Sequence, residues 1–164
     1  MKDIESIGKF NYVEEILNEL DNKAIGTNTQ FPLQGYRSGE DGFVHAQKLS
    51  SSSKILELNL KEQDFITPLF DDMPRLYEFI EEYKLCRTKV MALPRKSNYT
   101  YHKDVSKYRV HLPLLTNDKC FFIVDGKVYD MVADGTVYMI NTEKMHTAVN
   151  ASFNDRIHIV GCCM

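Results

Sequence analysis

From Lys89 to the C-terminus the chain reads as short apolar runs broken by turn residues, and no other feature narrows the fold as much. The runs are KVMAL, YTYHKD, RVHLPLL, CFFIV, KVYDMV, TVYMIN and RIHIVGCC. Each has strand length and is rich in β-branched or aromatic residues. Asp125-Gly126, between CFFIV and KVYDMV, is a strong two-residue hairpin signal, because both central residues of such a turn need positive φ. Asp134-Gly135 marks another turn. Many short strands at regular spacing predict a barrel or a sandwich.

The first half has a different texture. Within residues 12–20, Val13, Ile16, Leu17 and Leu20 form one stripe at helical spacing. A second helix begins near Pro74, which suits a first helical turn, with Asp71 or Asp72 as its cap. Leu76, Phe79, Ile80 and Tyr83 then repeat at helical spacing, and the helix should end near Leu85. Residues 34–42, QGYRSGEDG, carry glycine and charge and predict an exposed loop, as do the serines at 50–53. Residues 55–60, ILELNL, alternate apolar and polar side chains and predict a half-buried strand. The expectation is one domain over 1–164: a helix-rich part, 1–88, packed against the outside of a strand core, 89–164. A chain of 164 residues is long enough to bury such a core.

Composition removes several classes of function. Hydrophobic residues make up 43% and charged residues 26%, as in ordinary soluble domains. A net charge of −3 gives no reason to expect a nucleic-acid partner. No apolar run approaches the roughly 18–20 residues that span a bilayer. The charged start, MKDIESIGKFNYVEEIL, lacks the apolar stretch of a signal peptide. The four cysteines, Cys86, Cys120, Cys162 and Cys163, show no C-x-x-C spacing, and adjacent cysteines pair poorly with each other. Free thiols in a reducing cytoplasm are the expectation.

Four of the 5 histidines, His102, His111, His146 and His158, fall in the strand-rich half. In a strand, residues i and i+2 share a face, so His102 and Asp104 could chelate one ion. A third ligand from a distant strand, His146, would complete a 2-His-1-carboxylate triad, which leaves open positions and suits non-haem iron(II). A lone His-x-Asp arises by chance too readily to carry this reading; its neighbours strengthen it. Arg156 lies ten residues after His146, across a turn-like NASFND, and could hold a dicarboxylate by a bidentate pair. On RVHLPLL, Arg109, His111 and Pro113 share one face, and Val110, Leu112 and Leu114 the other. Arg156 and His158 repeat the pairing. Polar groups on an inward face are costly unless they meet an anion or a metal, so His102, Asp104, Arg109, His111, His146 and Arg156 predict one cavity.

These residues also carry a family resemblance. H-K-D, R-V-H-L-P-L-L-T-N, G-T-V-Y-M-I-N-T and H-T-A-V-N-A-S-F-N-D-R-I-H-I-V, over His102 to Val160, resemble the aspartyl/asparaginyl β-hydroxylase-like branch of the 2-oxoglutarate dioxygenases. The cis-hydroxylases of free proline look similar over the same stretch. The resemblance implies a mainly β fold, a double-stranded β-helix (jelly roll, cupin-like) flanked by N-terminal helices. It implies iron(II) on His102, Asp104 and His146, with 2-oxoglutarate and O2 as cosubstrates. Arg156 would grip the distal carboxylate of 2-oxoglutarate, and Arg109 and His111 would help hold its metal-binding end. Asn150 matches a common family asparagine. Asp104 stands where some family hydroxylases have a small residue, which favours hydroxylation over halogenation. The implied activity is hydroxylation of an amino-acid side chain, in a small molecule or in a peptide or protein, with release of succinate and CO2. The residues themselves leave open a non-catalytic cupin-like metal-binding or sensing module, and a jelly roll whose histidines only satisfy core hydrogen bonds. Tyr99, Tyr101 and residues 34–42 are candidates for the cavity mouth, and Arg95-Lys96 for attracting an acidic substrate.

Overall fold

A computed structural model describes residues 2–21, 23, 29–47 and 57–164. Its frame is two antiparallel sheets. The larger has the order β1-β10-β7-β12-β5-β2, formed by β1 (Ile4–Lys9), β2 (Gln30–Pro32), β5 (Leu85–Leu93), β7 (Tyr108–Leu115), β10 (Thr136–Asn141) and β12 (Arg156–Cys163). The smaller has the order β6-β11-β8-β9, formed by β6 (Ser97–Asn98), β8 (Cys120–Val124), β9 (Lys127–Tyr129) and β11 (His146–Asn150). A short pair joins β3 (Gln34–Gly35) to β4 (Thr67–Pro68). From β5 onward the strands pass back and forth between the two large sheets, the winding of a double-stranded β-helix.

The larger sheet is buried on both faces. Helices α1 (Val13–Asp21) and α3 (Pro74–Glu82) cover its outside, where Ile16, Leu20, Leu76, Phe79 and Ile80 meet Val90, Val110, Leu112, Leu114 and Ile159. Each such fully buried side chain contributes about 1.5–3 kcal/mol. A smaller apolar cluster, Leu93, Phe122, Val124, Met131, Ile140 and Ala148, fills one part of the barrel interior. Period-2 alternation therefore sends Val110, Leu112 and Leu114 to the helices and Arg109 and His111 into the barrel.

Several expectations hold. The two amphipathic helices form, and the hairpin closes on Asp125 (φ 47°) and Gly126 (φ 77°) with Val124 paired to Lys127. All four cysteines are free. Others need correction. The helix at Pro74 is preceded by Met73 rather than capped by Asp71 or Asp72, and it ends at Glu82. Its free N–H groups at Arg75 and Leu76 donate instead to the Glu19 carboxylate of α1, at 2.8 and 3.0 Å, while Asp72 pairs with Lys23 at 2.5 Å. Residues 34–42 are no loop: they hold β3 and the start of α2 (Gly39–Gln47). In the segment 55–60, Glu57 is helical and Leu58-Asn59 form a turn; Ile55 and Leu56, like residues 50–53, lie outside the described residues. The run YTYHKD is no continuous strand, for only His102 makes a β-bridge there. KVYDMV contributes only Lys127–Tyr129. The division at residue 88 falls inside β5, and β1 and β2 add edge strands to the core sheet from the helix-rich part. Among the described residues, no helix is long and apolar enough to cross a membrane.

Candidate metal centre and its cavity

His102 and His146 face each other across an isolated antiparallel bridge, exchanging backbone hydrogen bonds of 3.0 and 2.8 Å. Directly opposed residues project to the same side, and the two imidazoles stand 4.5 Å apart between centroids. The Asp104 N–H donates to Thr142 O at 2.9 Å, which swings its carboxylate back until Oδ1 lies 3.6 Å from His102 Nε2. One ligand atom from each of His102, Asp104 and His146 lies within 4.8 Å of the others.

The imidazole protons are placed by the backbone. His102 Nδ1 faces Thr100 O at 2.5 Å and His146 Nδ1 faces Lys144 O at 2.9 Å. With each Nδ1–H donated to a carbonyl, the lone pairs sit on Nε2, aimed at the shared point. His146 is buried against Phe122, stacked at 5.8 Å. Burial lowers its pKa, which favours the neutral imidazole a metal requires.

This cluster forms one wall of a cavity of about 430 Å³ that Arg109, His111 and Arg156 also line. That volume suits a small ligand. Among the described residues, Arg156, 3% exposed, has only His158 as a hydrogen-bond partner, its Nη2 donating to Nδ1 at 3.0 Å. Among the described residues no carboxylate reaches it, and burial pulls its pKa down to about 10. His111 and His158 are both driven well below the usual histidine range, by burial first and by Arg156 second. Neither His111 Nδ1 nor His158 Nε2 has a partner among the described residues. Such a cation, buried beside neutral histidines, is costly unless an anion arrives. Arg109 is placed differently. Its guanidinium is committed to Asp104 and Glu62, at 2.8 and 2.9 Å, and it also touches the Cys162 thiol.

Asn150 holds the turn that delivers Arg156. Its amide donates to Leu93 O, Pro94 O and Asn154 O at 2.9, 3.2 and 2.8 Å, and its oxygen accepts from Ser152 N and Oγ at 3.0 and 2.7 Å. Tyr99 lines the cavity, but Tyr101 does not; its hydroxyl accepts from Gly126 N at 3.1 Å. Among the described residues, none of 34–42 lines the cavity, and buried Gln34 ties β3 to Leu85 O and Thr88 N. Arg95 N binds Asp155 and Lys96 lies 4.2 Å over Phe153, both away from the cavity.

Gln30, Arg87 and Lys89, none of them expected from the sequence, also line the cavity. Lys89 is 7% exposed, with Gln30 Oε1 at 3.2 Å as its hydrogen-bond partner, and burial lowers its pKa to about 8. A signal existed: Arg87, Lys89 and Met91 alternate with buried Thr88 and Val90, the inward pattern of Arg109 and His111.

The fold and this cluster define a cupin-type barrel with two histidines and a carboxylate converging at its mouth. The match to the family described as aspartyl/asparaginyl beta-hydroxylase runs over residues 13–162, and the chain belongs to that family. Two solved structures agree in fold. AviO1 from Streptomyces viridochromogenes Tue57 superposes with a TM-score of 0.50 at 11% identity, over 96% of this chain and 87% of that one. The non-heme monooxygenase ThoJ, as a nickel complex, gives 0.50 at 12% identity over 98% and 74%. A 2OG-Fe(II) oxygenase-family oxidoreductase from Burkholderia pseudomallei gives 0.47 at 15% identity. The similarity there spans 56% of this chain and only 55% of the Burkholderia one. It spans 57% of the Photorhabdus luminescens plu4264 protein. No curated protein matches the sequence.

Proposed function

We propose that the chain is an iron(II)/2-oxoglutarate-dependent dioxygenase that hydroxylates an amino-acid side chain, free or within a peptide, with release of succinate and CO2. One observation carries the reading: a His-Asp-His ligand set and an uncompensated Arg156 share one small cavity. The donor set fits the metal, two imidazole nitrogens and one carboxylate oxygen with room beside them. Arg156 and the orphaned nitrogen of His111 fit a dicarboxylate. With both bound, the chemistry supplied is reaction with O2, one oxygen atom entering the substrate C–H bond and the other the succinate formed as CO2 leaves.

The chain's own residues then bind and orient. His102, Asp104 and His146 hold the metal. Arg156 grips the far carboxylate as a guanidinium fork, and His111, kept neutral by burial, faces the cosubstrate without repelling a cation. Phe122 and Ala148 keep water from the inner wall. Lys89, on the neighbouring strand β5, lines the same cavity and offers a second anion contact, which suits an acid-bearing amino acid. The reducing cytoplasm suits both the four free thiols and a ferrous ion.

The test is anaerobic loading with iron(II) and 2-oxoglutarate, then oxygen, with succinate measured across amino acids and short peptides. Succinate release stimulated by one of them is expected, and His146→Ala should abolish iron binding. Iron binding with neither cosubstrate binding nor succinate would instead describe a non-catalytic metal-binding or sensing module.

A further inference from the structure

We propose that Glu62 is a positioning residue for the metal centre, acting through Arg109 on Asp104. This rests on the triad reading above. Glu62 belongs to the 3-10 turn Glu62–Asp64, ahead of the strands that carry the triad. Its Oε1 accepts from Arg87 Nη1 at 2.7 Å and from Arg109 Nη2 at 2.9 Å. Arg109 Nε in turn donates to Asp104 Oδ2 at 2.8 Å. A carboxylate–guanidinium–carboxylate chain thus runs from the turn to the ligand, and its side chains are only 13% to 23% exposed.

The division of atoms is what matters. Arg109 holds Asp104 by Oδ2 and leaves Oδ1 on the side of His102 Nε2. A free arginine prefers to take a carboxylate bidentately with two parallel N–H groups. Such a fork would occupy both Asp104 oxygens and compete with the metal for Oδ1. Glu62 prevents it by engaging Nη2, so that Nε alone reaches Asp104. Asp104 lies outside any strand, so its orientation depends on this contact as well as on its own backbone bond. Outer partners of this kind fix the geometry of metal-ligating carboxylates.

The fold invests in the arrangement. Arg87 has φ +50°, the left-handed region that a non-glycine residue occupies at a cost. Its N–H donates to Phe65 O at 2.7 Å, and the β5–β12 register shifts between Val160 and Cys162, beside it. A bulge of this kind re-aims a side chain, here toward Glu62. Glu62 also keeps two guanidinium groups together in a half-buried place where they would otherwise repel.

The experiment is a titration of the full-length apoprotein with cobalt(II), read by the visible absorption of the bound ion and by calorimetry. Wild type should bind and His146→Ala should not. Glu62→Gln should weaken cobalt binding about tenfold, the size expected of an outer partner, and change the absorption band. Glu62→Asp, which keeps the charge, should recover part of the loss. Arg109→Lys should show a similar loss, and adding Glu62→Gln to it should cost nothing more, because Glu62 acts through the guanidinium. Cobalt binding by Glu62→Gln within twofold of wild type, or a double variant that simply adds the two losses, overturns the proposal while the triad stands. Failure of wild type to bind, or retention by His146→Ala, overturns the triad and the proposal with it.

Discussion

Lys89 shows how a single residue can trade stability for a site. Burial lowers its pKa to about 8, with Arg87 and Arg109 adding to the effect. In the unfolded chain a lysine titrates near ~10.4. The folded state therefore holds its proton less tightly, and the penalty is fully present below about pH 8. It fades as pH rises toward ~10.4, so stability climbs over that window. Lys89→Met, of similar volume, should be more stable than wild type at pH 7 by at most roughly 2 to 3 kcal/mol. Its advantage should vanish near pH 10.5, and its affinity for an acid-bearing ligand should fall. Urea unfolding at the two pH values measures this; a Lys89→Met protein less stable at pH 7 would mean the ammonium is already compensated. At this scale the sequence was legible where chemistry is unusual. Imidazoles, a nearby carboxylate and inward arginines on recognisable strands located six cavity residues. Glu62 and Lys89 were not legible: a lone lysine looks solvated until its strand is known to be buried on both faces, and a lone glutamate until its turn is known to pack against that strand.

At the scale of elements, the turn from β11 to β12 decides where Arg156 points. Buried Asn150 satisfies three backbone carbonyls and two donors of Ser152, so truncating it leaves several buried polar groups without partners. Asn150→Ala should cost about 2–3 kcal/mol. It should also weaken 2-oxoglutarate binding much more than metal binding, since His146 sits at the far end of β11 on its own bridge. Thermal unfolding and separate metal and cosubstrate titrations check this, and equal losses in both ligands would contradict it. The strands were read well because turn chemistry and period-2 alternation agree. Helix α2 was missed because Gly39 and Gly42 look like breakers. Gly42 is there for proximity: a Cβ would meet Arg37 O at 1.9 Å. β1 was missed because IESIGK, on an exposed sheet edge, buries too little of either face to show a pattern.

At the scale of the whole molecule, the first strand is tied to the smaller sheet and to the turn before β11. Asp3, just ahead of β1, is buried and gathers Lys144 Nζ at 2.6 Å, Tyr129 Oη at 2.7 Å and Lys127 Nζ at 3.3 Å. It therefore clips the edge of the larger sheet to β9 of the smaller one. Lys144 also offers the carbonyl that fixes the His146 ring, so the clip bears on the rim of the candidate metal site. The Lys144 ammonium, with Tyr129 and Lys127, holds the Asp3 carboxyl far below the usual carboxylate range. A carboxylate depressed on folding contributes stability above its unfolded pKa of ~3.9, and that contribution is lost as pH falls below it. Asp3→Asn removes the titrating group while keeping its shape. The variant should be less stable than wild type at pH 7, and the gap should narrow steadily below about pH 4 as Asp3 of the unfolded wild-type chain takes up a proton that the folded state refuses. Urea midpoints measured from pH 7 down to 2 follow the two proteins. A gap that stays constant through the acid range would show that the ion cluster at Asp3 does not join the sheets electrostatically.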